Sequence, residues 1–195
     1  MSDTALSRDE KSMDDQDSDH VEQYLTFVIS NESYGIGILH IKEIIEYGNI
    51  TPVPMVPDFI AGVINLRGSV VPVVNMANRF QVPPSPIGKK TSVIVIEVDE
   101  VDSEEDTAGR MEIGIMVDMV NEVLELHSDM ILPPPRFGAK IRADFIEAMG
   151  KVDEEQFMVL LDINQVLSIE ELSLVHSIAT DSGSAQEELS GESGL

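Results

Sequence analysis

The side chains able to do chemistry in this chain are four histidines, many carboxylates, a few arginines and lysines, and no cysteine. The missing cysteines exclude thiol catalysis, cysteine-ligated zinc and a disulfide framework together. His20, His40, His127 and His176 stand far apart, and no two share the short spacing that brings imidazoles to one metal. The acidic run from Asp99 to Asp106 could attract calcium, but it lacks the fixed glycine and terminal bidentate glutamate of an EF-hand loop. Glu43 and Glu46, three residues apart, would work as an acid-base pair only if burial or a charge partner tuned one of them. The glycines Gly35 and Gly37 lack the third glycine and following helix of a dinucleotide fingerprint, and neither a GxxxxGK phosphate loop nor a GxSxG elbow occurs. No catalytic set, metal site or cofactor site is therefore expected, and the balance points to a protein that binds. One group remains unexplained. In GVINLRGSVVPVVNM, Gly62 to Met76, the single charge is Arg67, placed between Leu66 and Gly68. A turn there needs only Gly68, whose missing Cβ permits a positive φ, so the arginine is optional for folding.

Composition bounds the class. The 195 residues suffice for one good-sized domain or two small barrels with a real core. The net charge of −24 is concentrated in three segments. Residues 1–22 hold eight acids and two bases, residues 97–112 eight acids and one base, and residues 180–195 four acids and no base. These runs read as solvated, flexible chain. Without a basic face, direct nucleic-acid binding is not expected. No apolar run reaches membrane-spanning length and the N-terminus is acidic, so the expectation is a cytoplasmic protein that does not insert into a membrane.

Between the tails, dense Val and Ile broken by Pro and Gly every ten residues or so is the punctuation of an all-β barrel or sandwich. Alternation predicts strands in QYLTFVIS and ESYGIGIL. TPVPMVPDF, with three prolines, must be an extended loop. The arginine-bearing stretch reads as strand, turn and strand, with Pro72 at an edge or a bulge. VPPSPIGKK suggests a boundary between approximate halves, 23–85 and 90–175, at residues 82–90. TSVIVIEV and MEIGIMVDMVNEVLEL predict strands flanking an acidic insert, residues 99–110, expected to form a disordered hairpin tip. DFIEAMGKV and QFMVLLDI suggest a further hairpin. In SIEELSLVHSIA, Ser168 as N-cap with Glu171 three residues on predicts a helix that places Leu172, Val175 and Ile178 on one face.

The ordered series YGI, KEII, a Pro-rich loop, GVINLRG and an apolar strand with an internal proline, then IGIMVDMVNEVLEL, ILPPP and QFMVLLDI, resembles the CheW family of chemotaxis coupling proteins over roughly Gln23 to Val175. The resemblance implies two five-stranded SH3-like barrels with a short C-terminal helix, no enzymatic activity and no cofactor. It also implies an adaptor that joins the regulatory domain of the histidine kinase CheA to the cytoplasmic tips of methyl-accepting chemoreceptors, recruited to membrane-associated arrays. The family's receptor-facing positions fall on Ile41, Glu43, Gly62, Arg67, Ser92 and Val123, lining or bordering a groove for a receptor helix. Ile44 joins them by spacing or serves the core. The kinase-facing surface falls on the Pro-rich loop, at Val53 and Met55. Three departures stand out: Ser92 replaces an aliphatic, Asn75 an aspartate, and Ala77 an arginine. The same module could serve a related signalling array such as one for surface motility; an unfamiliar enzyme on a β-barrel is the remoter alternative.

Overall fold

The computed structural model describes residues 20–100, 109–135 and 140–167. Strands dominate: β1 (Val21–Ile29), β2 (Glu32–Gly37), β3 (Ile41–Glu46), β4 (Ile60–Leu66), β5 (Ser69–Asn75), β6 (Ser92–Glu100), β7 (Gly109–Val117), β8 (Met119–His127), β9 (Ile131–Leu132), β10 (Ile146–Lys151) and β11 (Phe157–Leu161). Two one-turn helices, α1 (Met76–Arg79) and α2 (Ile163–Val166), accompany them. The strands form two sheets, ordered β8-β1-β2-β11-β10-β9 and β3-β6-β7-β5-β4. The all-β expectation holds, with six and five strands in place of five and five.

Three apolar clusters explain this layout. Phe27, Ile29 and Ile36 of the six-stranded sheet pack with Ile94, Ile96, Ile113 and Ile115 of the five-stranded sheet, and this shared cluster holds the sheets together. Val93 faces the other way, into the five-stranded sheet's own cluster with Ile64, Val71 and Val73. β6 is thus buried on both faces, which is why its sequence is an unbroken Val/Ile run rather than an apolar-polar alternation. The third cluster gathers Tyr24, Leu126, Ala148, Met158 and Leu160, with Leu124 from edge strand β8 and Ile131 from edge strand β9 packed on it. Both edges of the six-stranded sheet therefore meet one core, and the sheet curls as a barrel wall does.

Four sequence expectations change. The contiguous halves divided at 82–90 do not correspond to the sheets: β1 and β2 belong with β8 to β11, while β3 to β7 form the other sheet. The reason is the parallel pairing of β2 with β11, Tyr34 opposite Val159, since a parallel pair needs a long crossover and here β3 to β10, the whole second sheet among them, lie between the two strands. Pro72 lies on neither an edge nor a bulge. It sits within β5 opposite Val63, one residue before the parallel pairing with β7 begins at Val73, so the proline falls where that side of the strand is not yet paired. Residues 21 and 22 leave the expected tail and join β1, because β8 is long enough to pair Val21 with His127. Ile38 and Leu39, expected to continue β2, instead fall with His40 in a single 3-10 turn leading into β3. The helix expected from Ser168 and most of the acidic insert lie outside the described residues.

Candidate functional site

The arginine sits in a two-residue hairpin loop. Leu66 pairs with Ser69, and both residues between them have positive φ, 53° at Arg67 and 95° at Gly68, the signature of a type I′ turn. Asn65 supports the turn by accepting a 3.0 Å hydrogen bond at Oδ1 from the Gly68 amide. Only Gly68 was expected to need left-handed backbone; Arg67 needs it too. For a residue with a Cβ that conformation costs about 1 kcal/mol, so the turn itself disfavours arginine. Its side chain, 76% exposed, donates from Nη2 to Glu43 Oε2 at 3.1 Å.

Glu43 stands on β3, the edge of the five-stranded sheet. A β-bulge steps the register from Ile41 opposite Ile96 to Glu43 opposite Val95, leaving Lys42 as the extra residue. The pairings sort the neighbours. Ile41 and Ile44 stand opposite Ile96 and Ile94, on the face that meets the other sheet, whereas Glu43 and Ile45 stand opposite Val95 and Val93. Lys42 reaches Glu112 and lies 3.9 Å from Glu97, which also accepts from Arg110 at 2.7 Å. The hydrogen bond to Glu112 is the main reason the Lys42 ammonium is held above its ordinary range, and nearby Arg67 opposes it. Glu43 is itself mostly covered, 22% exposed, and its Oε1 is buried with no hydrogen-bond partner. The carboxylate thus offers one oxygen to Arg67, while the other is held away from solvent with no partner.

The other anticipated residues divide into four groups. Ile41 packs on the shared cluster, Ile44 is 45% exposed beside it, and Val123 on edge strand β8 is 42% exposed opposite Leu25, a member of that cluster. Apolar side chains from both edge strands therefore border the same junction between sheets. Ser92 stands opposite Glu46, at the far end of β3 from Ile41, and its hydroxyl donates to the Lys90 carbonyl. Gly62 is not a surface residue. It is buried with φ at 143°, and a Cβ there would come within 2.2 Å of the Thr51 carbonyl oxygen. It lets the segment around Thr51, bridged to Val63, lie on β4. In the Pro-rich loop Val53 is half-buried, while Met55 is 96% exposed at a φ of 60°.

Asn75 acts as N-cap of α1, accepting from the Asn78 amide, and Ala77 is buried. Arg79, two residues further on, is the arginine that matters in this helix. Its Nε donates to the Val166 carbonyl at 2.7 Å, and its guanidinium lies 4.5 Å from the centre of the Phe59 ring at the foot of the Pro-rich loop. Sequence reasoning missed Lys42, Asn65 and Arg79, since no local pattern announces a bulge or a contact between distant segments. The Asn65-x-x-Gly68 spacing was the one readable signal.

His20, His40 and His127 are exposed, and no group of side chains able to hold a metal ion occurs among the described residues. A strained cationic hairpin tip and the exposed apolar side chains Ile44 and Val123 on two edge strands are features suited to a protein-binding module. A CheW-like domain model matches residues 23–171. Chemotaxis protein CheW of Klebsiella aerogenes is 35% identical over 158 residues, covering 81% of this chain and 89% of that protein. Chemotaxis protein CheW of Thermotoga maritima is 30% identical over 159 residues, covering 80% and 93%. The crystal structure of the scaffolding protein TtCheW from Thermoanaerobacter tengcongensis superposes with a TM-score of 0.64 at 26% identity, covering 75% of this chain and 92% of that one. The chain belongs to the CheW family, whose members are chemotaxis scaffolding and coupling proteins and not enzymes.

Proposed function

We propose that this protein is the coupling adaptor that links chemoreceptor cytoplasmic tips to the histidine kinase CheA, working in the cytoplasm at membrane-associated receptor arrays. The observation that carries the receptor side is Arg67: a long cation kept at a backbone position that disfavours it, steered by a carboxylate with one acceptor unused. A receptor helix lying along β3 would meet Ile41, Ile44 and Val123 with its apolar stripe and the Arg67–Glu43 pair with a polar residue. Gly62 serves by shaping the root of the Arg67 hairpin, and Ser92 borders the far end of β3. The kinase side falls to Val53 and Met55, whose loop prolines limit the ordering cost of presenting apolar side chains. No described helix is long and apolar enough to cross a membrane.

Co-sedimentation with a receptor cytoplasmic fragment and the kinase tests the reading. Arg67→Ala should weaken receptor retention by roughly 2 kcal/mol, about thirtyfold, and leave folding intact. If the unmodified protein retains neither partner, the adaptor role with these partners fails. If the folded variant is retained as well as the unmodified protein, Arg67 loses its assignment. A related signalling array is the second reading, since the chain also matches a relative not named as a chemotaxis protein, protein FrzA of Myxococcus xanthus, 23% identical over 146 residues. Capture of that array's receptors in preference to chemotaxis receptors would decide for it.

A further inference from the structure

Thr26 is a buried polar side chain in β1, only 4% exposed, in a place where the strand could equally carry valine. Its neighbour β8 is irregular there: Leu25 stands opposite Val123, yet Phe27 stands opposite Val120, so Asn121 and Glu122 share the space across from Thr26. The threonine hydroxyl closes this bulge. Oγ1 donates to the Glu122 carbonyl at 2.8 Å and accepts from the Glu122 amide at 3.2 Å. Both peptide groups that flank the irregularity are thus tied to one side chain, immediately before Val123.

We infer that Thr26 is a positioning residue for the Val123 contact: its hydroxyl pins the β8 bulge and so fixes which face of the strand Val123 occupies. The inference rests on the receptor reading of Val123 given above. The physical reason is that a bulge is a one-residue register shift, and a strand whose bulge migrates turns its side chains to the opposite face. With the bulge pinned, Val123 shares a face with Leu25 at the junction between sheets. A bulge moved past Val123 would turn that side chain toward the six-stranded sheet's own cluster, where Leu124 now packs. Glu122 is exposed, so water can take up its peptide groups when the hydroxyl is removed. Placement is therefore lost more readily than stability.

The test compares Thr26→Val, Thr26→Ser and Val123→Ala in the full chain. The readouts are affinity for a receptor cytoplasmic fragment, affinity for the kinase regulatory domain, and amide exchange at Glu122 by NMR. Thr26→Val keeps shape but loses both hydrogen bonds, and it should weaken receptor binding about tenfold and speed exchange at Glu122. Thr26→Ser keeps both bonds and should restore binding to within about twofold. Kinase-domain affinity should be unchanged by either, which a general loosening of the fold would not leave so. Receptor binding by Thr26→Val equal to that of the unmodified protein, alongside a weakened Val123→Ala, overturns the role of Thr26 alone. Equal losses in the valine and serine variants overturn it too, since the methyl group and not the hydroxyl would then matter. An unaffected Val123→Ala overturns the receptor reading of that position, and the role of Thr26 falls with it.

Discussion

Two hairpins in this protein have the same turn and opposite uses. The β1–β2 loop, Ser30-Asn31, has φ values of 50° and 66°; the β4–β5 loop, Arg67-Gly68, has 53° and 95°. Both are two-residue connections with left-handed backbone at each position, the geometry that matches strand twist. In the first, the small residue is drawn inward. The Ser30 amide donates to Asp118 Oδ2 at 2.7 Å and its hydroxyl to the Pro83 carbonyl at 2.6 Å, while Ser85 donates to the same carboxylate oxygen. Asp118 lies between β7 and β8, where the chain passes from one sheet to the other, so this turn is fastened to the crossing point. In the second, the long residue is directed outward onto Glu43. A hairpin fastened at its tip supports the fold, and one fastened at its root can present a side chain.

The root of the second hairpin is the sharpest place to break that contrast. Gly62→Ala would put a Cβ 2.2 Å from the Thr51 carbonyl on backbone at φ 143°, and the loss should reach about 3 kcal/mol in urea denaturation. A change below 1 kcal/mol would mean that the segment around Thr51 yields easily and that the root is not rigid. For the first hairpin the matching variant is Asp118→Ala. It removes the acceptor of both the Ser30 amide and the Ser85 hydroxyl and should cost roughly 2 kcal/mol of stability, with receptor affinity unmoved. A drop in receptor affinity at preserved stability would erase the division between a supporting and a presenting hairpin.

A pair of substitutions at the first loop position sharpens the comparison further. Arg67→Asn installs the preferred Asn-Gly pair and should raise stability by about 0.5–1 kcal/mol while receptor binding falls. Ser30→Asn makes the same change of turn chemistry but discards the hydroxyl bond to Pro83, and the melting temperature should not rise. If both variants were stabilised alike, the tethers of the first hairpin would carry no weight.

How far the sequence alone could see follows the range of each interaction. The strands QYLTFVIS and TSVIVIEV and the turn at Gly68 were legible because alternation, β-branching and a glycine are local signals. The sheet to which β2 belongs was not, because its partner β11 lies more than a hundred residues away and a parallel pairing leaves no turn signature. Arg67 and Glu43 entered through a family resemblance, and their contact is now visible. The left-handed backbone of Arg67 was missed because arginine is a poor marker for it. Gly62, named by resemblance as lining or bordering the groove, is buried, and the close approach of the Thr51 carbonyl that demands a glycine there has no local sequence signal.

The smallest expected effect bears on how the presenting hairpin works. Arg67 is largely in water and its pairing with Glu43 is a surface ion pair, so a double-mutant cycle between the two in the free protein should give a coupling near 0.5 kcal/mol. So weak a tie leaves the arginine free to exchange Glu43 for a receptor group. The cycle repeated with receptor fragment bound should therefore give a different coupling. Direct competition would lower it toward zero; a bound helix that excludes water from the pair would raise it, since charges attract more strongly in a drier setting. An identical coupling in the free and bound states would mean that the pair does not respond to the receptor, and Arg67 would then act as a fixed contact.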